Sequence, residues 1–116
     1  VAENAVDLTV IRALLAGSGR LLDRFHAGEE PMPETVEAMA PAFAVVQEAK
    51  LAIGDAAVRV VDRAMGLSGG AGYMSGHPLS RAYRDVRAGA FMHPLGANRA
   101  YEFAAQVALA EPPDLH

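Results

Sequence analysis

The chain has 116 residues and a formal net charge of −4 at pH 7, and 52% of its residues are hydrophobic. A chain of this length builds one domain at most, and its acidic balance argues against nucleic acid or an anionic membrane as a partner. It contains no cysteine, which excludes disulfides and cysteine-ligated metal sites and is consistent with a reducing cytoplasm. No run of about 18 apolar residues is free of charge, so no membrane-spanning helix is expected.

The first predicted helix runs from about Ala2 to His26. Its apolar residues recur at helical spacing, and they are Leu8, Ile11, Leu15, Leu22 and Phe25. Gly28 follows in the position typical of a residue just past a helix end. Residues 29–33 contain two prolines and two acids and are expected to form a linker. The chain begins at Val1 with the helical pattern already under way, so we expect it to be a fragment of a longer protein.

The second predicted helix is the longest, from about Pro33 to Met65, with a proline and acids in its first turn. Pro41 lies inside this range and should kink the helix or split off a short first piece. Asp55 and Arg59 are four residues apart on the polar side and are expected to pair. Apolar residues form a broad stripe beyond the proline, and they are Val45, Ala49, Ala52, Ile53, Ala56, Val60 and Ala64.

Two shorter helices follow a glycine-rich segment. Pro78 opens the third predicted helix, which runs to about Ala88, and the last helix runs from about Ala97 to Ala110. Residues 89–96 between them are expected to be irregular. Because no segment alternates apolar and polar residues as a strand does, the chain is predicted to be all-α, a bundle of antiparallel helices.

The segment between the second and third helices, residues 66–73, reads Gly-Leu-Ser-Gly-Gly-Ala-Gly-Tyr. Gly66 is the expected end of the long helix, and Gly69, Gly70 and Gly72 crowd into four positions. One interpretation is a helix end followed by a tight turn. The other is an anion-binding concavity, because the backbone N–H groups of a glycine-rich loop can surround a phosphate. The residues alone leave both interpretations open.

Several short motifs lie in one register, namely Ala49-Lys50, Gly54-Asp55, Gly69-Gly70-Ala71-Gly72-Tyr73, Pro78-Leu79 and Arg84-Asp85. In this order and spacing they resemble the C-terminal helical domain of the acyl-CoA dehydrogenase superfamily of flavoproteins. The resemblance implies that residues 1–116 are the later helices of that domain. It also implies that the domain's first helix, an N-terminal helical domain and a middle β-barrel lie upstream of Val1.

The resemblance implies a function for the parent protein. It would be a cytoplasmic FAD-dependent oxidoreductase that dehydrogenates the α,β C–C bond of an acyl-CoA thioester. It would form a homo-oligomer, and its partner would be acyl-CoA or a related small molecule rather than nucleic acid or a membrane. This domain would supply helices, oligomer contacts and part of the wall around FAD and the active site. Alone it is expected to be inactive, because the flavin-binding middle domain is missing.

Gly69, Gly70 and Gly72 are the implied cofactor-binding residues, since in the family this loop approaches the pyrophosphate or adenosine part of FAD. The chain departs from the family at Gly66, where a glutamine that contacts the cofactor is usual. No metal site is expected, because the histidines lack the spacing of metal ligands.

His93 is the implied catalytic residue. Many dehydrogenases of the family carry a glutamate base eight residues after the aspartate of the Arg-Asp pair, and this chain has His93 there, followed by Pro94 and Leu95. Histidine can serve as a general base. Three alternatives stay open: a base on the upstream helix, a related flavin-dependent monooxygenase in which the histidine assists at the flavin, and a non-catalytic partner subunit. Otherwise His93 would be a surface-loop residue.

The other charged residues of this region are expected to be structural. Arg84 and Asp85 resemble a family pair that ties the short helix to its neighbours, and Arg81, Arg84 and Arg87 recur every three residues as a solvated or ion-paired face. His77 is expected to line or cap the bundle. A purely structural or oligomerisation module is the rival class of function, since an uncovered alanine-rich stripe would favour self-association.

Overall fold

The computed structural model describes residues 1–92 and 95–112. Within these ranges the chain forms five helices and no strand: α1, Ala2–His26; α2, Val36–Ser68; α3, Gly70–Tyr73; α4, Pro78–Ala88; and α5, Ala97–Ala108. The predicted all-α architecture is therefore confirmed, and the bounds of α1 and α4 agree with those expected from the apolar pattern and from the proline that starts α4.

The central element is α2, on which α1, α4 and α5 all pack. At about 1.5 Å per residue, its 33 residues account for most of the longest dimension of a molecule that measures 51 × 29 × 23 Å. In the described part of the chain, α1 contacts neither α4 nor α5. The arrangement is a long helix flanked by shorter ones rather than a closed four-helix bundle.

The flanking helices run antiparallel to α2. Near the start of α1, Asp7 contacts Arg59, whereas the end of α1 lies beside the first turns of α2. On another side of α2, Leu95 lies by Lys50 and α5 then runs back towards Phe43. Helices α4 and α5 thus follow one another along α2, and the irregular segment between them lies beside the middle of the long helix.

A small apolar core lies between the first half of α2 and α5. Phe103, only 1% exposed, meets Phe43 edge-to-face, with 5.1 Å between the ring centroids and 72° between the ring planes. Ala44 and Ala100 are also buried in this cluster. Because alanine side chains are short, they let the two helix backbones approach closely enough for the two rings to fill the remaining space.

The contact between α1 and α2 is partly ionic. The Asp7 carboxylate accepts hydrogen bonds from Arg59 Nε and NH2, at 3.1 and 2.9 Å, and from Arg63 NH1 at 2.7 Å. Arg63 Nε also pairs with Glu3 at 3.0 Å. Hydrogen bonds from Arg59 and then Arg63 lower the pKa of Asp7 to about 2. Arg59 thus forms its ion pair with Asp7 from α1. Asp55, four residues away on α2, interacts with it only weakly, since the raised pKa of Arg59 is due first to Asp7 and least to Asp55.

Helix α2 begins and ends later than predicted. The Thr35 side chain accepts a hydrogen bond from Ala38 N at 3.1 Å and so caps the first turn, which leaves Pro33 outside the helix. The helix continues through Pro41 without a break. The prolyl residue lies in the second turn, where only the exposed Glu37 carbonyl loses its intrahelical donor and can be hydrated instead. The helix is therefore not split at Pro41, and the alternative, a kink there, stays a prediction.

Candidate functional site

The glycine-rich segment contains a sharp turn at Gly69. Helix α2 continues past Gly66 to Ser68, and Gly69, with φ 66° and ψ −153°, ends α2 and starts the four-residue helix α3. This combination of angles is almost confined to glycine. The predicted end at Gly66 was wrong because Gly66 is helical, and it is Gly69 whose backbone reverses the chain. The short helix α3 then replaces the predicted loop.

The three predicted cofactor-binding glycines differ in their surroundings. Gly72 is buried: a Cβ atom there would collide with Ser68 Oγ and lie 2.9 Å from Ser68 Cβ and 3.3 Å from Met65 Sδ. Gly69 and Gly70 are exposed, and a Cβ atom at Gly70 would meet nothing within 4 Å. Packing within the chain therefore explains Gly72, and the turn explains Gly69. Neither explains Gly70, whose backbone is open to a molecule from outside the chain.

Apolar side chains surround the glycine turn without being covered. Leu67, Tyr73 and Met74 are 78%, 79% and 66% exposed. Exposed apolar residues clustered beside an open backbone are typical of a surface that another molecule or subunit covers. The turn thus combines backbone that a phosphate could approach with side chains that suit an apolar or aromatic partner.

The segment between α4 and α5 carries the predicted catalytic residue, His93, which lies outside the described residues. Ala97 N donates to Ala90 O at 3.0 Å, which closes the base of the segment. The Lys50 ammonium donates to Met92 O at 2.8 Å and to Leu95 O at 2.6 Å, so that α2 holds the backbone on either side of residues 93–94.

A small cavity of about 50 Å³ lies beneath this segment. It is lined by the side chains of Lys50, Asp55 and Arg87, among others, and by Leu95 from the segment itself. One water needs roughly 10–15 Å³ of such volume, so the cavity is large enough to hold water.

The fold does not bring the glycine turn and the Lys50 contacts together. Both belong to α2, at its end and near its middle, and at 1.5 Å per residue the 18 helical steps from Lys50 to Ser68 cover about 27 Å. Within one chain, the two regions are therefore too far apart to contact the same small group.

The residues around the start of α4 serve the helix itself. His77 Nδ1 accepts a hydrogen bond from Leu79 N at 3.1 Å, so that His77 caps the first turn of α4; the expectation that it lines or caps the bundle stays a prediction. Arg81 pairs with Asp85 at 3.5 Å, and Arg84 donates to Ser80 at 3.4 Å. Both side-chain contacts lie within α4 and are exposed. The expectation that Arg84 and Asp85 tie α4 to its neighbours was wrong, whereas the ion-paired face is observed.

Two functional features were missed in the sequence. Lys50 is the single lysine of the chain and belongs to the Ala49-Lys50 motif, but the motif did not indicate its hydrogen bonds to Met92 O and Leu95 O. Asp7 gave no signal in the sequence, because its two arginine partners lie more than fifty positions away.

Comparison with known sequences identifies the family. The sequence model described as "Acyl-CoA dehydrogenase, C-terminal domain" matches residues 1–98. These residues make up most of the chain and include α1 to α4 and the glycine turn. The chain belongs to the acyl-CoA dehydrogenase family and corresponds to its C-terminal helical domain, as the motif register predicted.

The chain is also similar to three enzymes of narrower description. Over 63 residues, 54% of this chain, it is 51% identical to the amino sugar nitrososynthase DnmZ of Streptomyces peucetius and 48% identical to the L-evernosamine nitrososynthase of a Micromonospora species. Over 48 residues, 41% of the chain, it is 50% identical to the amino sugar nitrososynthase RubN8 of Streptomyces rubradiris. The matches span only 16%, 15% and 11% of those relatives' lengths.

Within residues 1–92 and 95–112, none of the helices has the length and apolar character that a membrane span requires. No group of three or more histidine, cysteine, aspartate or glutamate side chains in those ranges is arranged to hold a metal ion.

Proposed function

We propose that this chain is the C-terminal helical part of a flavin-dependent oxidoreductase that oxidises the amino group of an amino sugar. The observation that carries the proposal is the similarity to three amino sugar nitrososynthases, each about half identical over the matched residues. Within the family, these relatives favour the oxygen-dependent branch over the dehydrogenation of an acyl-CoA thioester.

The replacement of the family's catalytic glutamate supports the same choice. Removal of an α-proton from a thioester needs a base, and at the position where many dehydrogenases of the family carry that glutamate this chain has His93. An amine must be neutral to be oxidised at nitrogen. Histidine, with an ordinary pKa of about 6.5, can take a proton from an ammonium group near neutral pH. We therefore propose His93 as the residue that accepts the substrate proton.

The proposed cofactor is FAD. When bound, a flavin supplies the redox chemistry, with dioxygen as co-substrate. Gly69 and Gly70 would present backbone N–H groups to its phosphates, which fits their exposure and the open space beside Gly70. Gly72 would contribute by keeping α3 tight against the end of α2. Because position 66 is a glycine and not the usual glutamine, the hydrogen bonds to the flavin from this turn would come from backbone N–H groups rather than from a side chain.

The exposed apolar surface around the glycine turn supports a homo-oligomer in which this turn reaches a cofactor held by another subunit. Leu67, Tyr73 and Met74 would then be covered by protein and cofactor together. A cytoplasmic location and a domain boundary upstream of Val1 complete the proposal for the parent protein.

The second candidate is dehydrogenation of an acyl-CoA, which the family assignment of residues 1–98 favours. In that case the base would come from the upstream helix or from His93. A non-catalytic partner subunit is the third possibility, and the absence of the family's glutamate favours it as well.

One set of assays on the full-length, flavin-loaded protein separates these functions. We expect oxygen consumption that depends on reduced flavin and on an amino sugar, with a product that has lost the N–H bonds and gained one oxygen atom. The same sugar with a hydroxyl in place of the amine should be inert. Anaerobic bleaching of the flavin by an acyl-CoA would instead identify a dehydrogenase, and flavin-free protein that co-purifies with a homologue would identify a partner subunit.

His93→Ala tests the proposed base. We expect it to abolish turnover of the amino sugar at neutral pH and to leave the flavin bound. Turnover equal to that of the unaltered enzyme would exclude the role. Recovery of the variant at high pH, where the amine is already neutral, would support it.

A further inference from the structure

We infer that Lys50 is a positioning residue, whose ammonium group fixes the backbone on both sides of residues 93–94 against α2. The inference rests on the proposed function, because it names what holds the segment that carries the proposed base. It stands on two contacts, from Lys50 Nζ to Met92 O at 2.8 Å and to Leu95 O at 2.6 Å.

These contacts are stronger than ordinary backbone hydrogen bonds. An ammonium donor is charged, and charge-assisted hydrogen bonds are shorter and roughly twice as strong as neutral ones. Leu95 is only 9% exposed, so its surroundings screen the contact poorly. A carbonyl that lost this donor would be left partly buried without an equivalent partner, which disfavours any backbone arrangement that pulls Leu95 away from α2.

Both contacts reach residues outside the helices, since Met92 and Leu95 lie between α4 and α5. The Leu95 side chain belongs to the core cluster that Ala100 and Phe103 form with the first half of α2. The Lys50 hydrogen bond to Leu95 O therefore adds to an apolar contact that already holds Leu95 on α2. Met92 is 59% exposed, so its carbonyl depends on Lys50 for its hydrogen bond to α2.

Among the described residues no carboxylate forms an ion pair with the Lys50 ammonium, and its hydrogen bonds go to backbone carbonyl oxygens of this segment. A lysine that serves only as a surface charge or in an ion pair could be replaced by another cationic residue nearby. A lysine that bonds to two carbonyl oxygens three positions apart depends on the length of its side chain and on its position in α2.

The test compares Lys50→Met, Lys50→Arg and Arg59→Met in the full-length flavin protein. Methionine keeps the length and apolar character of the stem and removes the ammonium. Arginine restores a cationic donor, although with planar geometry. Arg59→Met is the matched structural control, because it removes from the same helix a cation that binds two oxygens of another segment, Asp7, far from residues 92–95.

We expect Lys50→Met to lower kcat for the amino sugar by about 10- to 100-fold, since small displacements of a catalytic group have effects of this size. The KM and the flavin content should change little. Lys50→Arg should recover part of the loss, and Arg59→Met should lower the melting temperature without lowering kcat. An unchanged kcat in Lys50→Met would overturn the inference. A loss of kcat that Lys50→Arg does not reduce, and that is proportional to a loss of bound flavin, would also overturn it.

Hydrogen exchange provides a readout that does not depend on the substrate. In Lys50→Met the amide of Ala97, bonded to Ala90 O, should exchange faster than in the unaltered protein, whereas Arg59→Met should leave it unchanged. Equal exchange in all three proteins would overturn the contact itself. If the unaltered enzyme oxidises no amino sugar, the proposed function fails, and the exchange rates still decide whether Lys50 holds the segment.

Discussion

Gly72 lies so close to Ser68 that no side chain fits between them. A Cβ atom on Gly72 would lie 2.9 Å from Ser68 Cβ, which real Cβ atoms do not approach, and the serine cannot rotate its own Cβ away. The contact joins the end of α2 to α3 immediately after the Gly69 turn. It sets where the turn presents Gly69 and Gly70, the two glycines that remain exposed.

Gly72→Ala should therefore destabilise the full-length protein by about 1–3 kcal/mol, the usual cost of overpacking. Thermal or urea unfolding measures this cost. The double variant with Ser68→Gly and Gly72→Ala should be less destabilised than the sum of the two single variants, because Ser68→Gly removes the atoms with which the new Cβ collides. Strictly additive effects would contradict the packing explanation.

Gly70→Ala should separate cofactor binding from stability. Its Cβ atom would meet nothing within 4 Å in the chain, so unfolding should change by less than about 0.5 kcal/mol, as for other surface substitutions. If the backbone of this turn approaches a flavin phosphate, the same variant should lose flavin during gel filtration or dilution. Full retention of flavin in both Gly70→Ala and Gly70→Val would argue against the proposed cofactor contact.

Asp7 should make stability depend on pH in the acid range. Its pKa is lowered from 3.8 to about 2 by Arg59 and Arg63. A lowered pKa means that its contribution is complete above the unfolded value and is lost as pH falls from 3.8 towards 2. Urea unfolding should therefore show that Asp7→Asn is less stable than the unaltered full-length protein at pH 6. The difference in unfolding free energy between the two proteins should shrink as pH falls from 3.8 towards 2. A difference that stays constant down to pH 2 would exclude the ion pair as its cause.

Phe103→Ala should be strongly destabilising. The side chain is 1% exposed and fills the contact between α5 and α2 against Phe43, and replacement of a buried phenylalanine by alanine typically costs about 3–5 kcal/mol. Tyr101→Ala, on the same helix but 56% exposed, is the matched control and should change unfolding little. Equal effects of the two variants would show that α5 does not dock through Phe103.

Local patterns predicted the helices well because they depend on neighbours along the chain. The spacing of leucines predicted α1, and Pro78 marked the start of α4. The errors at the ends of α2 have local causes of another kind. Thr35, rather than Pro33, caps the start of α2, and Gly69, rather than Gly66, ends it with a positive φ. Several residues of the types that start or end helices lie within a few positions of each end, so the local pattern did not select the right one.

The motif register from Ala49 to Asp85 also predicted the family, which the match over residues 1–98 confirmed. It did not predict the partners of the charged residues. Arg59 could have paired with Asp55 on its own helix, and Arg84 with a neighbouring helix, but Arg59 binds Asp7 and Arg84 stays within α4.

The amino-acid sequence by itself determined the helices, the family and the positions of the glycines, because propensity, capping and motif spacing act over a few residues. Only the tertiary structure decided that Gly72 packs inward while Gly70 faces outward, that Asp7 joins α1 to α2, and that Lys50 bonds to Met92 and Leu95. Each of these depends on which atoms meet when helices distant along the chain come together. Contact between distant segments is set by the packing of the whole fold and not by any local pattern.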